Sequence, residues 1–141
     1  MAKLERHNYD KAFTEADYPA IYQQRHTMLK RILASKSIHK NIVHYYSRHP
    51  AAFINDWMDT YDPRNIEQGK PAKLPFLLFN RQVELINFVE GCLHNKRNAV
   101  IQKSRDMGAT WTLCAYSIYL WLFREGISVG WGSRKAMLVD R

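Results

Sequence analysis

The sequence predicts an α/β chain in which a helical N-terminal part leads into a strand–loop–helix–strand unit. Three observations predict it. Apolar residues recur at helical spacing from Tyr18 to about Met58, a turn-rich connector with three prolines and a glycine comes next, and the period then shortens at two apolar runs on either side of a long apolar helix. The 141 residues suffice for one domain with a real core. The expected division is a helical lead-in or lid over 1–62, a connector over 63–75, and an incomplete α/β core over 76–141.

Residues 1–17 are polar and mixed in charge, and read as a poorly anchored lead-in. From Tyr18 the apolar positions Ile21, Tyr22, Met28, Leu29, Ile32 and Leu33 alternate with Gln23, Gln24, Thr27, Lys30 and Arg31. Asp17 is the expected N-cap, with Pro19 in the first turn. Ser37 is placed to cap a second helix carrying Ile38, Ile42, Val43 and Tyr46. A third is expected to start at Pro50 and stop at Asp62-Pro63. Beyond the connector, Asn80 is the expected cap of a helix running to His94. Asn98–Gln102 then reads as a buried strand, Thr110–Arg124 as a buried helix and Gly126 as its stop. Ile127–Trp131 reads as a second strand, and another helix is expected to begin after Ser133-Arg134-Lys135. Such a βαβ unit places its strands parallel with a right-handed crossover. Two parallel strands cannot cover both faces of a sheet, so the chain is expected to be the front part of a longer domain.

Composition narrows the function classes. A formal charge of +8 and a pI near 9.6 favour polyanionic partners. No Asp or Glu lies between Tyr18 and Asn55, where Arg25, Lys30, Arg31, Lys36, Lys40 and Arg48 cluster with four histidines. That stretch reads equally as a solvated basic face and as a phosphate-contacting one. Cys92 and Cys114 lack metal or redox spacing and are expected to be small buried hydrophobes in a reducing compartment. His39 and His44 do not stack on one helix face, so no metal site is expected from the histidines. Neither a signal peptide nor a membrane span is legible, which is the pattern of a cytosolic protein.

The chemistry concentrates in Gln102-Lys103-Ser104-Arg105-Asp106-Met107-Gly108-Ala109-Thr110-Trp111. A strand, a basic turn with one glycine, a hydroxyl and then a helix is the plan of a phosphate-binding loop. Aligned on Gly108 and Thr110, Lys103 stands where the first glycine of G-x-x-x-x-G-K-[ST] belongs, and Ala109 where its lysine belongs. A cation is needed near the phosphates, and Lys103 or Arg105 can supply it from the other arm of the loop. Thr110 sits where a hydroxyl would meet Mg²⁺. About twenty residues upstream, Phe79 can stack on an adenine and the Gln82 amide can take its edge. As core and surface positions, the same residues could also form a basic turn that holds no ligand.

Taken together, three stretches resemble the N-terminal part of large terminase subunits, the ATPase motors that package DNA in tailed bacteriophages. Leu74-Pro-Phe-Leu-Leu-Phe-Asn-Arg-Gln-Val-Glu is similar to the adenine motif. Val100-Ile-Gln-Lys-Ser-Arg-Asp-Met-Gly-Ala-Thr-Trp is similar to the family's deviant Walker A. Val129-Gly-Trp-Gly-Ser-Arg-Lys is similar to the strand and turn after it, and Phe53–Asn65 to the helical lead-in. The resemblance implies a P-loop NTPase core of the ASCE type, truncated after its first βαβ unit, with ATP and Mg²⁺ as cofactors. It implies adenine contacts from Phe79 and Gln82, a phosphate loop of Lys103, Ser104, Arg105, Gly108, Ala109 and Thr110, Mg²⁺ on Thr110, and Arg105 as an internal arginine finger. It also implies partners in double-stranded DNA, the small terminase subunit and the portal, an oligomer as an open question, and action in the host cytoplasm. Asp140 lacks the apolar run of a Walker B strand, so weak ATP binding without turnover is expected. Two alternatives stand beside this one. The chain could be a basic DNA- or partner-binding module with a vestigial loop, or the front of a helicase-type motor, against which the Ser-Arg-Asp-Met-Gly-Ala-Thr-Trp loop speaks.

Overall fold

The computed structural model describes residues 8–132, and they form a mostly helical assembly with one small antiparallel sheet. In chain order the elements are α1 (Tyr9–Thr14), α2 (Tyr18–Ala34), α3 (Lys36–Tyr46), α4 (Pro50–Trp57), β1 (Asp59–Tyr61), α5 (Arg64–Glu67), β2 (Lys73–Pro75), α6 (Asn80–His94) and α7 (Ala109–Phe123). The helix expected after Ser133, Asp140, and the last residues of the stretch from Val129 to Lys135 lie outside the described residues.

The helix starts are set by capping. The Asp17 carboxylate accepts from the N–H of Ala20 at 3.1 Å, and Pro19 occupies the first turn. For α3 the cap is Ser35, whose hydroxyl oxygen accepts from the Ile38 N–H at 3.4 Å, and not Ser37. Ser35 wins because its extended backbone ends α2 and opens α3 at a single residue. Asn80 is likewise not a cap but the first residue of α6. Its N–H and side-chain amide donate to the two carboxylate oxygens of Asp10, at 2.8 and 2.5 Å. A cap supplied from seventy residues away thus replaces a local one. The same contact, with Phe13 edge-on to Phe79 at 5.7 Å, anchors α1, so residues 9–14 are not a loose lead-in.

The expected third helix ends early, at Trp57, because Met58 turns extended. What holds it there is Arg25, the one cation of the acid-free stretch that is turned inward. Its Nη1 donates to Asp59 at 2.7 Å, and its Nη2 donates to the carbonyls of Asn55 at 2.8 Å and Met58 at 2.9 Å. The Met58 carbonyl also accepts from the N–H of Phe76 at 2.8 Å. Asp59 can then pair with Pro75, Thr60 with Leu74 and Tyr61 with Lys73, so the end of the expected helical lead-in and the end of the expected connector become a two-stranded ladder. Lys73 adds a second cation to Asp59 at 3.2 Å. Arg25 is therefore structural, whereas Lys30, Arg31, Lys36, Lys40 and Arg48 are exposed and make no ion pair among the described residues.

The core forms where α4, α6 and α7 meet, around Ile54, Leu78, Ile86, Ala115, Tyr116, Tyr119 and Leu120. Phe53 packs edge-on to Phe123 at 5.0 Å, and Tyr46 edge-on to Phe53 at 5.6 Å. Each buried aromatic or aliphatic side chain contributes about 1.5–3 kcal/mol, against about 1 kcal/mol for a typical hydrogen bond. Apolar burial therefore drives the association, and the hydroxyls fix its register. The Tyr119 hydroxyl donates to the Ser47 carbonyl at 2.8 Å, that of Tyr46 to Asp56 at 2.7 Å, and that of Tyr116 to Glu90. Burial and the neighbouring carboxylates push the Tyr46 and Tyr116 hydroxyls well above the ordinary tyrosine range.

The two expected strands do not form among the described residues. Neither the 98–102 nor the 127–131 segment makes a ladder hydrogen bond, so no parallel pair exists there. Val100 is 90% exposed rather than buried. An apolar run becomes a strand only when a neighbour takes its N–H and C=O groups, and neither segment has one among the described residues. The same absence leaves α7 buried on one face only, with Ile118, Trp121 and Leu122 on the open side. Cys92 and Cys114 are half-buried and form no disulfide.

An Arg25→Leu variant is expected to lose about 2–3 kcal/mol of stability, because Asp59 would keep only the exposed Lys73, the Met58 carbonyl only the Phe76 N–H, and the Asn55 carbonyl would lose its side-chain donor. A urea denaturation series on the two chains measures it.

Candidate functional site

The loop from Gln102 to Gly108 joins the open 98–102 arm to α7, and Gln82 fixes its far end. The Gln82 side chain is buried. Its Oε1 accepts from the Phe79 N–H at 3.4 Å, and its Nε2 donates to the Met107 carbonyl at 3.3 Å. The next residue, Gly108, has φ of 64°, and a Cβ there would lie 2.7 Å from Gln82 Nε2. Two separate constraints, the left-handed backbone and the approach of an amide, both exclude a side chain. Gly108 then starts α7, with its carbonyl taking the N–H of Thr112 at 2.9 Å and the Thr112 hydroxyl at 3.0 Å.

Asp106 is a second left-handed residue, at φ 60°, with Met107 between it and Gly108 outside that region. Asp tolerates this conformation better than most residues. Alternation of this kind turns successive N–H groups toward one side, as in anion-binding concavities. Among the described residues, no backbone N–H from Asn98 to Trp111 donates to another group of the chain. The last of these form the N-terminus of a fifteen-residue helix, where partial positive charge collects.

Two clefts flank the loop. The first, of about 330 Å³, is lined by Phe79, Arg81, Gln82, Ile101, Lys103 and Ser104, among others. The second, of about 510 Å³, is lined by Asp62, Arg64, Lys103, Asp106, Gly108 and Thr110, among others. Ala109 and Lys103 line both. The structure therefore brings Phe79, Gln82, Lys103 and Ser104 together on one side, and Lys103, Gly108 and Thr110 on the other. Arg105 lines neither cleft; it is exposed and makes no ion pair among the described residues. Phe79 is half-buried, and the Gln82 amide already spends one donor and one acceptor inside the chain, leaving one N–H and one lone pair.

Thr110 is exposed, and its hydroxyl makes no hydrogen bond among the described residues. It can therefore meet a Mg²⁺ ion or a phosphate oxygen, unlike the Thr112 hydroxyl, which is spent on Gly108. No group of three or more His, Cys, Asp or Glu is placed to hold a metal among the described residues. A divalent ion here would depend on the phosphates it accompanies, as Mg²⁺ sites in nucleotide loops do.

Sequence reasoning missed Asp62 and Arg64, because Asp-Pro reads as a stop and draws attention away from the residues beyond it. The Arg64 Nε donates to Asp62 Oδ1 at 2.9 Å, its Nη2 donates to Oδ2 at 2.7 Å, and the Arg64 backbone N–H donates to Oδ1 at 3.0 Å. These bonds hold the Asp62 carboxyl below the ordinary carboxylate range and raise the Arg64 guanidinium.

No protein-family model, curated protein or solved structure matches the chain significantly. No helix among the described residues is long and apolar enough to cross a membrane.

Two outcomes are expected. Gly108→Ala is destabilising by about 1–3 kcal/mol, from left-handed strain and displacement of the Gln82 amide. In a double-mutant cycle with Gln82→Ala the two costs add to less than their sum, because the clash disappears. Secondly, Asp62 titrates below 3.8 by carboxyl carbon NMR and returns to the ordinary range in Arg64→Ala. A depressed carboxylate keeps its ion pair above its ordinary value and loses it only as pH falls through the lower one. The Arg64 contact therefore persists from neutral pH down into mild acid.

Proposed function

We propose that residues 102–110 form a nucleotide phosphate site and that the chain is the N-terminal ATPase portion of a phage terminase large subunit, binding ATP for DNA packaging. The observation that carries the reading is the run of undonated backbone N–H groups leading into the N-terminus of α7. Gln82 and Gly108 hold that run in place, beside Lys103, which makes no ion pair among the described residues. Such an end of a long helix favours a phosphate, and a nearby cation supplies the charge that a standard loop draws from the residue at Ala109.

In this reading the base lies in the cleft of Phe79 and Gln82, the phosphates lie on the loop, and Mg²⁺ meets the Thr110 hydroxyl. Ser104, Gly108 and Ala109 contribute backbone rather than side-chain chemistry. Mg²⁺ neutralises phosphate charge when bound. The chain's own part is to orient the phosphates with N–H groups and Lys103. Arg105, outside both clefts, acts as a finger only if the loop rearranges around the nucleotide.

Turnover needs a base to activate water. Asp62 and Asp106 are the carboxylates lining the phosphate-side cleft, and Asp62 is held ionised by Arg64, which makes it a poor base. The chain is therefore expected to bind nucleotide without hydrolysing it. DNA, the small terminase subunit and the portal remain partners proposed on the resemblance. The exposed cations of α2 and α3 are compatible with a polyanion.

Titration of the 141-residue chain with a fluorescent ATP analogue tests the site. Lys103→Ala is expected to weaken binding about tenfold, equivalent to a charge-assisted hydrogen bond. Thr110→Ala is expected to remove most of the Mg²⁺ dependence, and phosphate release should stay at background. Failure of the unaltered chain to bind the analogue at millimolar concentration would overturn the reading in favour of a basic binding module.

A further inference from the structure

The two clefts share one loop, and Lys103 and Ala109 line both. A nucleotide whose base fills the cleft of Phe79 and Gln82 can extend past these two shared residues. Its outermost phosphate then enters the cleft of Thr110 and Asp106. The wall of that second cleft across from the loop is Thr60-Tyr61-Asp62-Pro63-Arg64, which runs from β1 through the turn beyond it to the first residue of α5.

That wall is built. The Asp62 N–H donates to the Ala72 carbonyl at 2.8 Å, and its carbonyl accepts from the Asn65 N–H at 3.2 Å. Arg25 and Lys73 hold Asp59, at the root of β1, at 2.7 and 3.2 Å. At the tip, the side-on contact with Asp62 fixes the guanidinium plane and uses only Nε and part of Nη2. Three N–H donors of Arg64 remain, including both on Nη1. An arginine already ordered by a neighbouring carboxylate loses little rotamer freedom when a phosphate binds, and its planar fork suits two phosphate oxygens.

Arg64 also feels the loop. Arg64 and Asp106 line the same cleft, and Asp106 adds the smallest of the influences that raise the guanidinium, after those of Asp62. A phosphate arriving there would meet the free donors of the guanidinium, while Asp62 keeps its hold.

We propose that Arg64 binds the outermost phosphate of the nucleotide, so that the second cleft distinguishes a nucleoside triphosphate from a diphosphate. The inference rests on the phosphate-site reading and adds a cation from outside the loop. Arg64 is a binding residue here, with no part in bond breaking.

The test measures the affinity of the chain for fluorescent ATP and ADP analogues, each with Mg²⁺, in the unaltered protein and in Arg64→Ala and Arg64→Lys. The Arg64 side chain is largely exposed, so both variants are expected to fold, and circular dichroism melting checks this. Arg64→Ala should weaken ATP about tenfold and change ADP less than about twofold, with Arg64→Lys in between. Asp62→Asn should give a smaller, ATP-selective loss, because the guanidinium keeps its charge but not its anchor. Unchanged ATP binding in Arg64→Ala would overturn this assignment and leave the nucleotide site standing. An equal loss of ATP and ADP would reduce Arg64 to a general electrostatic or structural role. Binding of neither nucleotide by the unaltered chain would remove both readings.

Discussion

The approach of one amide to one glycine sets the geometry of the loop. Gln82 is buried on α6, and its Nε2 lies where a side chain on Gly108 would begin. That contact dictates the left-handed turn at Gly108, the position of the Met107 carbonyl and the start of α7. Thr112, buried below, returns its hydroxyl to the Gly108 carbonyl and closes the same corner from the other side. The direction of the N–H groups at the head of α7 is thus decided by packing between α6 and α7. A ligand would find them already oriented, which is where preorganised sites gain over flexible ones.

A second junction, independent of the first, places the opposite wall. Arg25 gathers the end of α4, the start of β1 and, through the shared Met58 carbonyl, the approach to α6. It is a nearly buried cation, and a charge in that position persists only where acceptors take its N–H groups. Asp59 and the two carbonyls take Nη1 and Nη2 at distances of 2.7 to 2.9 Å, while Nε is buried without a partner among the described residues. The packing of α4 against α7 then carries both walls as one framework.

Local chemistry was legible in the sequence, and contacts between distant residues were not. Asp17, Pro19 and the apolar spacing located α2, while Asn80 and His94 marked the two ends of α6. Gly108 and Thr110 marked the head of α7, and the neighbourhood of Phe79, Gln82 and Lys103 was legible from the motif alone. The β1–β2 ladder was hidden because it depends on Arg25 reaching Asp59, 34 residues away. The docking of α1 was hidden for the same reason, since Asp10 meets Asn80 across 70 residues. Asn98–Gln102 misled in the other direction. Its composition suits a strand, but composition supplies no partner for the backbone, and a strand is a property of a pair.

The open state of that arm has an entropic side. The loop's two cations and its hydroxyl are held unequally, because Thr110 stands on a helix anchored by core packing, while Lys103 and Arg105 come after a segment with no ladder bonds on either edge among the described residues. Ordering each such residue costs about 1–2 kcal/mol of backbone entropy. Any group that paired with 98–102 would bear part of that cost beforehand and present Lys103 to the proposed phosphate site already positioned. In the proposed site, affinity at the loop would therefore be coupled to the order of residues 98–100, which line neither cleft, and tightening them would strengthen binding with no new contact to the ligand.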